Sequence, residues 1–458
     1  MCIRDRIIKK YSDFVEYPIL MDITRDDTEL DDEGKPKEGA EKKVTVTEET
    51  LNSMKAIWMR PKSEVKKEEY NEFYKHISHD YTDPIKTIHY SAEGTLEFKA
   101  LLYLPAKAPF DMFQHEGVKH GINLYVKRVF IMENCEALIP RYLRFAKGVV
   151  ESNDLPLNVS REILQEDVVI KKIEKNVTSK ILSTLKDMMK KSSDDYLNFY
   201  KEFGKVIKEG VEVDAGNKDK IKDLLLYESS KTKPGEYVSL KEYVDRMLPD
   251  QKEIYFITGD SRATLENSPH LEIFKKKDVE VLFMTEPVDE FILPGFGEYS
   301  EKSLKSISQG DIDLGSDEEK KIAEEQKTEA SGKYKKLIKK VQEALKDDIK
   351  EVRLSDRLTD SASCLVTDEG DINPQMERIF AAMNQPVPEV KRILELNPDH
   401  PVLEKMNTLF DSNKKDPKIF CDDLSEKFKK LTKILNLSND DFIRTTEKRP
   451  VSYTHLTL

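Results

Sequence analysis

Cysteine is scarce. The four residues, Cys2, Cys135, Cys364 and Cys421, form no CxxC pair. That excludes a zinc ribbon or a thioredoxin-type motif, and wide spacing in a long chain reads as reduced thiols of a cytosolic protein. Long apolar runs are missing too: none approaches the roughly 18 residues of a membrane span, and no basic start with an apolar core marks a signal peptide. No GxxxxGK[ST] loop is present to cradle a phosphate, and Gly295-Phe296-Gly297 and Asp214-Ala215-Gly216 read as isolated turns. A basic excess is lacking; the formal net charge of −12 argues against a nucleic-acid partner. No Ser-His-Asp or Cys-His order stands out, and no repeat of about 20–50 residues is visible.

What is there is charge. Charged residues are 35% of the 458 and hydrophobic ones 38%, against an ordinary charged share of about 25%. Lys and Arg number 75, so the surface is mixed in sign, as suits a soluble protein that meets many polypeptides. The length allows two or three domains with sizeable cores.

The pattern along the chain is mixed. Tyr11, Phe14 and Ile19 are expected to point inward, and the charged stretch 22–43 reads as a solvated loop or hairpin tip. Glu68–His79 reads as a helix carrying Tyr70, Phe73, Tyr74 and Ile77 on one face. Thr95–Leu104 and Asn123–Met132 read as single strands, and Arg141–Val149 as a short helix passing into a strand. Ile170, Ile173, Val177, Ile181, Leu185 and Met188 trace a helical face, and Tyr196, Phe199, Tyr200 and Phe203 a second. A smaller α/β unit follows, with a helix capped by Ser239, strands at Glu253–Thr258 and Glu280–Met284, and a helix over Ser261–Ser268. Residues 310–350 begin as a linker and end as an amphipathic helix with Leu337, Ile338, Val341 and Leu345. A domain boundary is expected near 315, with an α+β domain after it.

One run carries distinctive chemistry: Ser152-Asn153-Asp154-Leu155-Pro156-Leu157-Asn158-Val159-Ser160-Arg161-Glu162-Ile163-Leu164-Gln165. It reads as a polar loop feeding a helix, with Ser160 as N-cap and Glu162 in the first turn. Arg161 sits against the positive end of the dipole. Either an anion arrives there, held by free N–H groups and the guanidinium fork, or Arg161 is a surface cation paired with a nearby carboxylate.

The same run resembles the catalytic loop of the HtpG family, the bacterial 90-kDa heat-shock chaperones. Other segments are similar to family segments in family order: Ala56-Ile57-Trp58-Met59-Arg60-Pro61, His79-Asp80, Ala108-Pro109-Phe110-Asp111, Tyr125-Val126-Lys127-Arg128-Val129-Phe130-Ile131 and Leu138-Ile139-Pro140-Arg141-Tyr142-Leu143. Ser268-Pro269-His270-Leu271-Glu272, Arg357-Leu358-Thr359-Asp360-Ser361 and Leu396-Asn397-Pro398-Asp399-His400-Pro401 extend the match, which covers residues 7–405. The resemblance implies that Arg161 reaches the γ-phosphate of ATP bound with Mg2+ in a separate, preceding ATPase domain, whose motifs this sequence lacks. Asn158 would position the loop and Gln165 assist beside the phosphates.

Further candidates divide between packing and function. His76 and His79, beside Asp80, could pair on a metal, but a helix C-terminus explains them, and no metal is expected. Trp58 and Phe130 are core aromatics on ordinary grounds; the resemblance makes them exposed contacts for client proteins or for the ATPase domain. Phe291 matches a family position, often Trp, at the client-facing edge. Asn373 caps and Pro374 opens a helix with Ile372, Met376, Ile379, Phe380 and Met383 on one face. A buried face is the ordinary explanation; in the family this helix faces client protein, and methionine suits variable partners.

Residues after about 405 depart from the family, and the usual dimerisation run is not found. Residues 1–6 and 451–458 resemble translated sequencing-adaptor read-through, so an assembled gene fragment with an artefact at each end is expected. The fold expected is α/β and α+β multidomain: a layered αβα middle domain over 7–315 (large α/β unit 7–190, helical connector 191–235, small α/β unit 236–315) and a smaller α+β C-terminal dimerisation domain over 316–450. The function implied is that of a cytoplasmic, ATP-dependent chaperone. Its partners would be unfolded or partly folded clients, a second copy of the chain, the ATPase domain and the bacterial 70-kDa heat-shock chaperone, with no nucleic acid or membrane. The fragment alone is expected not to be an ATPase. The rivals are an ATP-independent holdase or scaffold using the same surfaces, and a stand-alone phosphoryl-transfer enzyme using Arg161.

Overall fold

The computed structural model describes residues 3–26, 44–94, 96–109, 112, 120–156, 167–312, 314, 317–388 and 390–412. It resolves into two compact units, Met1–Gly210 and Val211–Leu458.

In the first unit, α1 (Ile3–Tyr11) precedes an antiparallel pair, β1 (Leu20–Asp26) and β2 (Val44–Thr50), with Leu20 opposite Thr50. Of the charged stretch 22–43, expected to be a loop or hairpin tip, residues 22–26 are strand, and 27–43 lie outside the described residues. After α2 (Lys67–Ser78) come β3 (Lys86–Ala92), β4 (Phe98–Leu104), β5 (Ile122–Val126), β6 (Val129–Cys135) and β7 (Lys147–Ser152). They form one sheet in the order β3-β4-β7-β5-β6, antiparallel except for the β5–β7 pair. β4 is an interior strand, buried along nearly its whole length, as its unbroken Ala100-Leu101-Leu102-Tyr103-Leu104 run requires of a strand covered on both faces. Gly148, opposite Leu102, has φ +148, and a Cβ there would lie 2.2 Å from the Leu101 carbonyl oxygen; only glycine allows β7 this close to β4.

Two helices complete the unit, α3 (Val168–Lys191) and α4 (Ser193–Val213). The six apolar residues traced on the first are all buried, as are Tyr196, Phe199, Tyr200 and Phe203. Phe145 packs edge-on against Phe199, with centroids 5.2 Å apart. Arg144 grips Glu209 with both terminal nitrogens, at 2.6 and 2.8 Å.

One strand expectation needs correction. Asn123–Met132 is not a single strand but parts of β5 and β6 with the hairpin turn between them, Val126 standing opposite Val129. Lys127 and Arg128 hold φ of +48 and +64, the left-handed pair of a tight two-residue hairpin. Tyr11, expected to be inward, is exposed, though its ring meets Phe130 edge-on at 5.9 Å.

The second unit opens with α5 (Lys218–Lys222), β8 (Leu226–Ser229), β9 (Val238–Ser239), α6 (Leu240–Asp245) and β10 (Glu253–Thr258). α7 (Arg262–Glu266), α8 (Glu272–Lys276), β11 (Leu282–Met284), α9 (Pro287–Phe296), β12 (Glu298–Tyr299) and β13 (Lys302–Ser306) follow. The strands order as β12-β13-β10-β11-β8-β9, with β10 parallel to both β11 and β13. Ser239 caps α6 as expected, accepting from Glu242 N–H while Glu242 reaches back.

Beyond it stand α10 (Asp317–Ala344), β14 (Ile349–Leu354), β15 (Ser363–Val366), α11 (Pro374–Ala382), β16 (Arg392–Leu396) and α12 (Pro401–Ser412). The sheet order is β14-β16-β15. Tyr334, Leu337, Val341 and Leu345 of α10 bury against Ile349, Val352, Leu354, Leu394 and Leu396. The linker-like composition before residue 330 does not keep the chain irregular: helix starts at Asp317. Mixed helices and several sheets make this the α/β multidomain fold expected. Among the described residues, no helix is long and apolar enough to cross a membrane.

Candidate functional site

The run that carries Asn158, Arg161 and Gln165 spans β7 to α3. These three residues, and the expected cap Ser160, lie outside the described residues. The two ends that hold them are described. At the β7 end, Ser152 Oγ donates to Glu97 O at 3.3 Å, Asp154 Oδ2 accepts from Glu97 N–H at 3.0 Å, and Leu155 is buried. At the other end, Asp167 caps α3, its Oδ1 accepting from Val169 and Ile170 N–H at 2.6 and 3.2 Å. The excursion between 156 and 167 thus leaves and returns at fixed points.

The residue before Ser152 was not singled out from the sequence. Glu151 is 3% exposed. Its carboxylate accepts from Trp58 Nε1 at 2.5 Å and from Arg128 N–H at 2.8 Å, so it ties the hairpin turn and Trp58 to the end of β7. This overturns the exposed reading of Trp58. Its ring is fully buried among Phe14, Phe73 and Tyr125. An indole with its N–H held by a buried carboxylate is a core element and offers no face to a client. Phe130 is partly buried against the same cluster. His79, the αL C-cap of α2 with φ +56, explains itself as a helix terminus.

In the second unit the expected edge is laid out on α9 and α11. Asn373 caps α11, Oδ1 accepting from Met376 N–H at 2.8 Å, with Pro374 in the first turn. No residue of α11 is fully buried; Met376, Ile379 and Phe380 are half-buried, and Met383 after them is 55% exposed. On α9, Phe291 is 46% exposed while its neighbour Glu290 is 4% exposed. Glu290 Oε2 accepts from Asn373 Nδ2 at 2.7 Å. Burial raises the Glu290 pKa, and the hydrogen bonds from Asn373 and Thr258 offset this only in part. Glu290 precedes the apolar run Phe291-Ile292-Leu293, and nothing in the local sequence separates it from a solvated acid.

Two other motifs meet in this unit. Glu272 receives the N–H groups of Thr359 and Asp360 at 2.7 and 2.9 Å, that of Ser361 at 3.1 Å, and the Ser361 hydroxyl at 2.5 Å. Consecutive N–H groups cradling one carboxylate make an anion nest. Arg357, 3% exposed, donates to the carbonyls of Ile307 and Gly310 and to Glu395 at 2.7, 2.5 and 2.9 Å. His270 beside it is neutral, its pKa pushed down to about 4 by burial and then by the Arg357 charge. Both motifs are structural here.

Comparison with known proteins places these arrangements. Residues 22–425 match the Hsp90 protein family. The chain is 61% identical over 418 residues to the chaperone protein HtpG of Geobacter sulfurreducens and 60% identical to that of Geobacter metallireducens, in each case with 91% of this chain covering 64% of the relative. It is 46% identical over 412 residues to the HtpG of Rhodococcus jostii, with 90% of this chain covering 63% of that relative. The chain therefore spans under two thirds of the length of the relatives it matches. With the family match running across most of its length, the chain belongs to the Hsp90 protein family.

Proposed function

We propose that this chain is the client-handling and phosphate-sensing portion of an ATP-dependent, cytoplasmic molecular chaperone that acts as a homodimer on unfolded or partly folded proteins. The observation that carries the client role is α11: a firmly capped helix whose Met376, Ile379 and Phe380 are only half-buried. Phe291, exposed on α9, extends the same edge. An adaptable methionine-bearing apolar surface suits partners of varied sequence.

In this reading ATP, with Mg2+, is bound by a separate ATPase domain and supplies the phosphoryl chemistry. This chain contributes Arg161 toward the γ-phosphate, with Asn158 and Gln165 beside it, on the run whose ends are pinned at Asp154 and Asp167. The role is electrostatic: a guanidinium offered where negative charge develops. The bacterial 70-kDa heat-shock chaperone is a further proposed partner.

The test is Arg161→Ala in a parent protein that contains the ATPase domain. Losing a charge-assisted hydrogen bond removes about 1.5–3 kcal/mol, so turnover should fall roughly tenfold to hundredfold with the fold intact. Calorimetry on the present chain should detect no saturable ATP binding. Unchanged turnover would overturn the role of Arg161, and client capture by the parent that is equally strong without ATP would favour the ATP-independent holdase.

A further inference from the structure

Helix α11 is seated with its apolar face only half-buried, Met376, Ile379 and Phe380 being partly covered. None of its residues is fully buried, yet its polar side chains reach three other parts of the unit. Asn373 Nδ2 donates to Glu290 Oε2 on α9 at 2.7 Å. Glu377 Oε1 accepts from Arg392 Nη2 on β16 at 2.5 Å, and the same guanidinium also donates to Ile372 O at 2.7 Å and Thr367 Oγ1 at 3.0 Å. Arg378 pairs with Asp260, just after β10.

These anchors differ in kind. Arg378 and Asp260 are each 46% exposed, and an ion pair so open to water is weak and screened by salt. The Arg392 anchor grips residues on both sides of the helix start, so it holds the chain there whether or not the helix keeps its angle. The Glu290 anchor is singular. Its carboxylate is 4% exposed, and its partner is the one side chain that also caps the helix. If that amide leaves Glu290, it has no fixed orientation from which to offer Oδ1 to Met376 N–H. Seat and cap are one group. Glu290 is also joined through the backbone to Phe291, which points outward, so the same residue that fixes α11 precedes the exposed aromatic of α9.

We propose that Glu290, acting through Asn373, is the positioning residue that orients α11 and lets its apolar face and Phe291 act as one adjustable surface. The helix can tilt or lift on this pivot without uncovering a fully buried side chain, because it carries none. The orientation claim rests on geometry alone; its consequence for clients rests on the function proposed above.

Hydrogen exchange on the full chain tests it, with Glu290→Ala and Glu290→Gln compared. Gln keeps an oxygen that accepts from Asn373, whereas Ala keeps none. Amides of residues 376–383 should exchange about tenfold faster in the Ala variant and near the wild-type rate in the Gln variant, while β14 and β16 keep their protection. Unchanged α11 exchange in the Ala variant, loosening in the Gln variant equal to that in Ala, or loss of protection in β14 and β16 in step with α11 would each overturn the assignment. Capture of a partly unfolded protein is measured alongside. Faster α11 exchange with unaltered capture would leave the pivot standing and reject the client reading. No change in exchange would reject the pivot whatever capture shows.

Discussion

Trp58 shows what a single side chain can hide. From the sequence it stands in Ala56-Ile57-Trp58-Met59, a short apolar run that fits an interior or an exposed patch equally well. The group that decides the matter, Glu151, is 93 residues away, and no local pattern announces it. Burying an indole N–H is tolerable because a carboxylate receives it, and burying that carboxylate is tolerable because Trp58 and the Arg128 N–H both donate. Removing one donor should therefore be felt beyond the small loss of ring volume. Trp58→Phe is expected to lower stability by about 1–3 kcal/mol, the range for a buried acceptor left short of a partner. Urea unfolding of the two proteins measures it, and equal midpoints with equal slopes would contradict the account. Glu290 was hidden for the same reason: an acid in an apolar helical run looks like a solvated residue until its distant partner is seen.

At the scale of elements the sequence was more legible. Helical periodicity identified the buried faces of α3, α4 and the later part of α10, because each repeats every three or four residues and packs on one side. The β5–β6 hairpin escaped because its turn is Lys127-Arg128, with neither the glycine nor the asparagine that usually marks left-handed backbone. The start of α10 escaped because its polar first half carries no stripe, yet continues a helix that is anchored later by Tyr334 and Leu337. Two helices that look alike as amphipathic strings separate here. Leu337→Ala in α10 should cost about 2–5 kcal/mol, through lost burial and a cavity. Phe380→Ala in α11 should cost less than Leu337→Ala, since its ring is half-buried where Leu337 is fully buried, and should weaken capture of a partly unfolded protein. Paired melting and binding measurements decide this. A Phe380→Ala loss as large as that of Leu337→Ala would return α11 to the interior.

Across the second unit as a whole, the strongest polar device is the meeting of the Glu272 and Arg357 motifs, and it predicts how the molecule answers acid. Burial alone would raise the Glu272 pKa, but the Ser361 hydroxyl and the N–H groups of Asp360, Thr359 and Ser361 outweigh it and hold the pKa below the usual 4.5. Glu395 behaves likewise: burial pushes it up, and Arg357, Ser355 and Arg353 bring it below 4.5. A carboxylate with a depressed folded pKa contributes stability that is complete above its unfolded value and is lost as pH falls through the folded one. Unfolding midpoints of the second unit should therefore drop as pH falls below about 4.5. Glu272→Gln should start lower at neutral pH and fall less steeply, which a urea series at several pH values reads directly; parallel curves would refute the assignment. The same seam constrains how such a protein can be shuffled by evolution. The charged stretch around residues 311–316 reads as a natural crossover point between modules. A crossover there would hand Glu272 from one parent a Thr359-Asp360-Ser361 cradle from another, and would hand Arg357 foreign carbonyls at 307 and 310. A recombinant would keep this device only where both parents already agree at these positions.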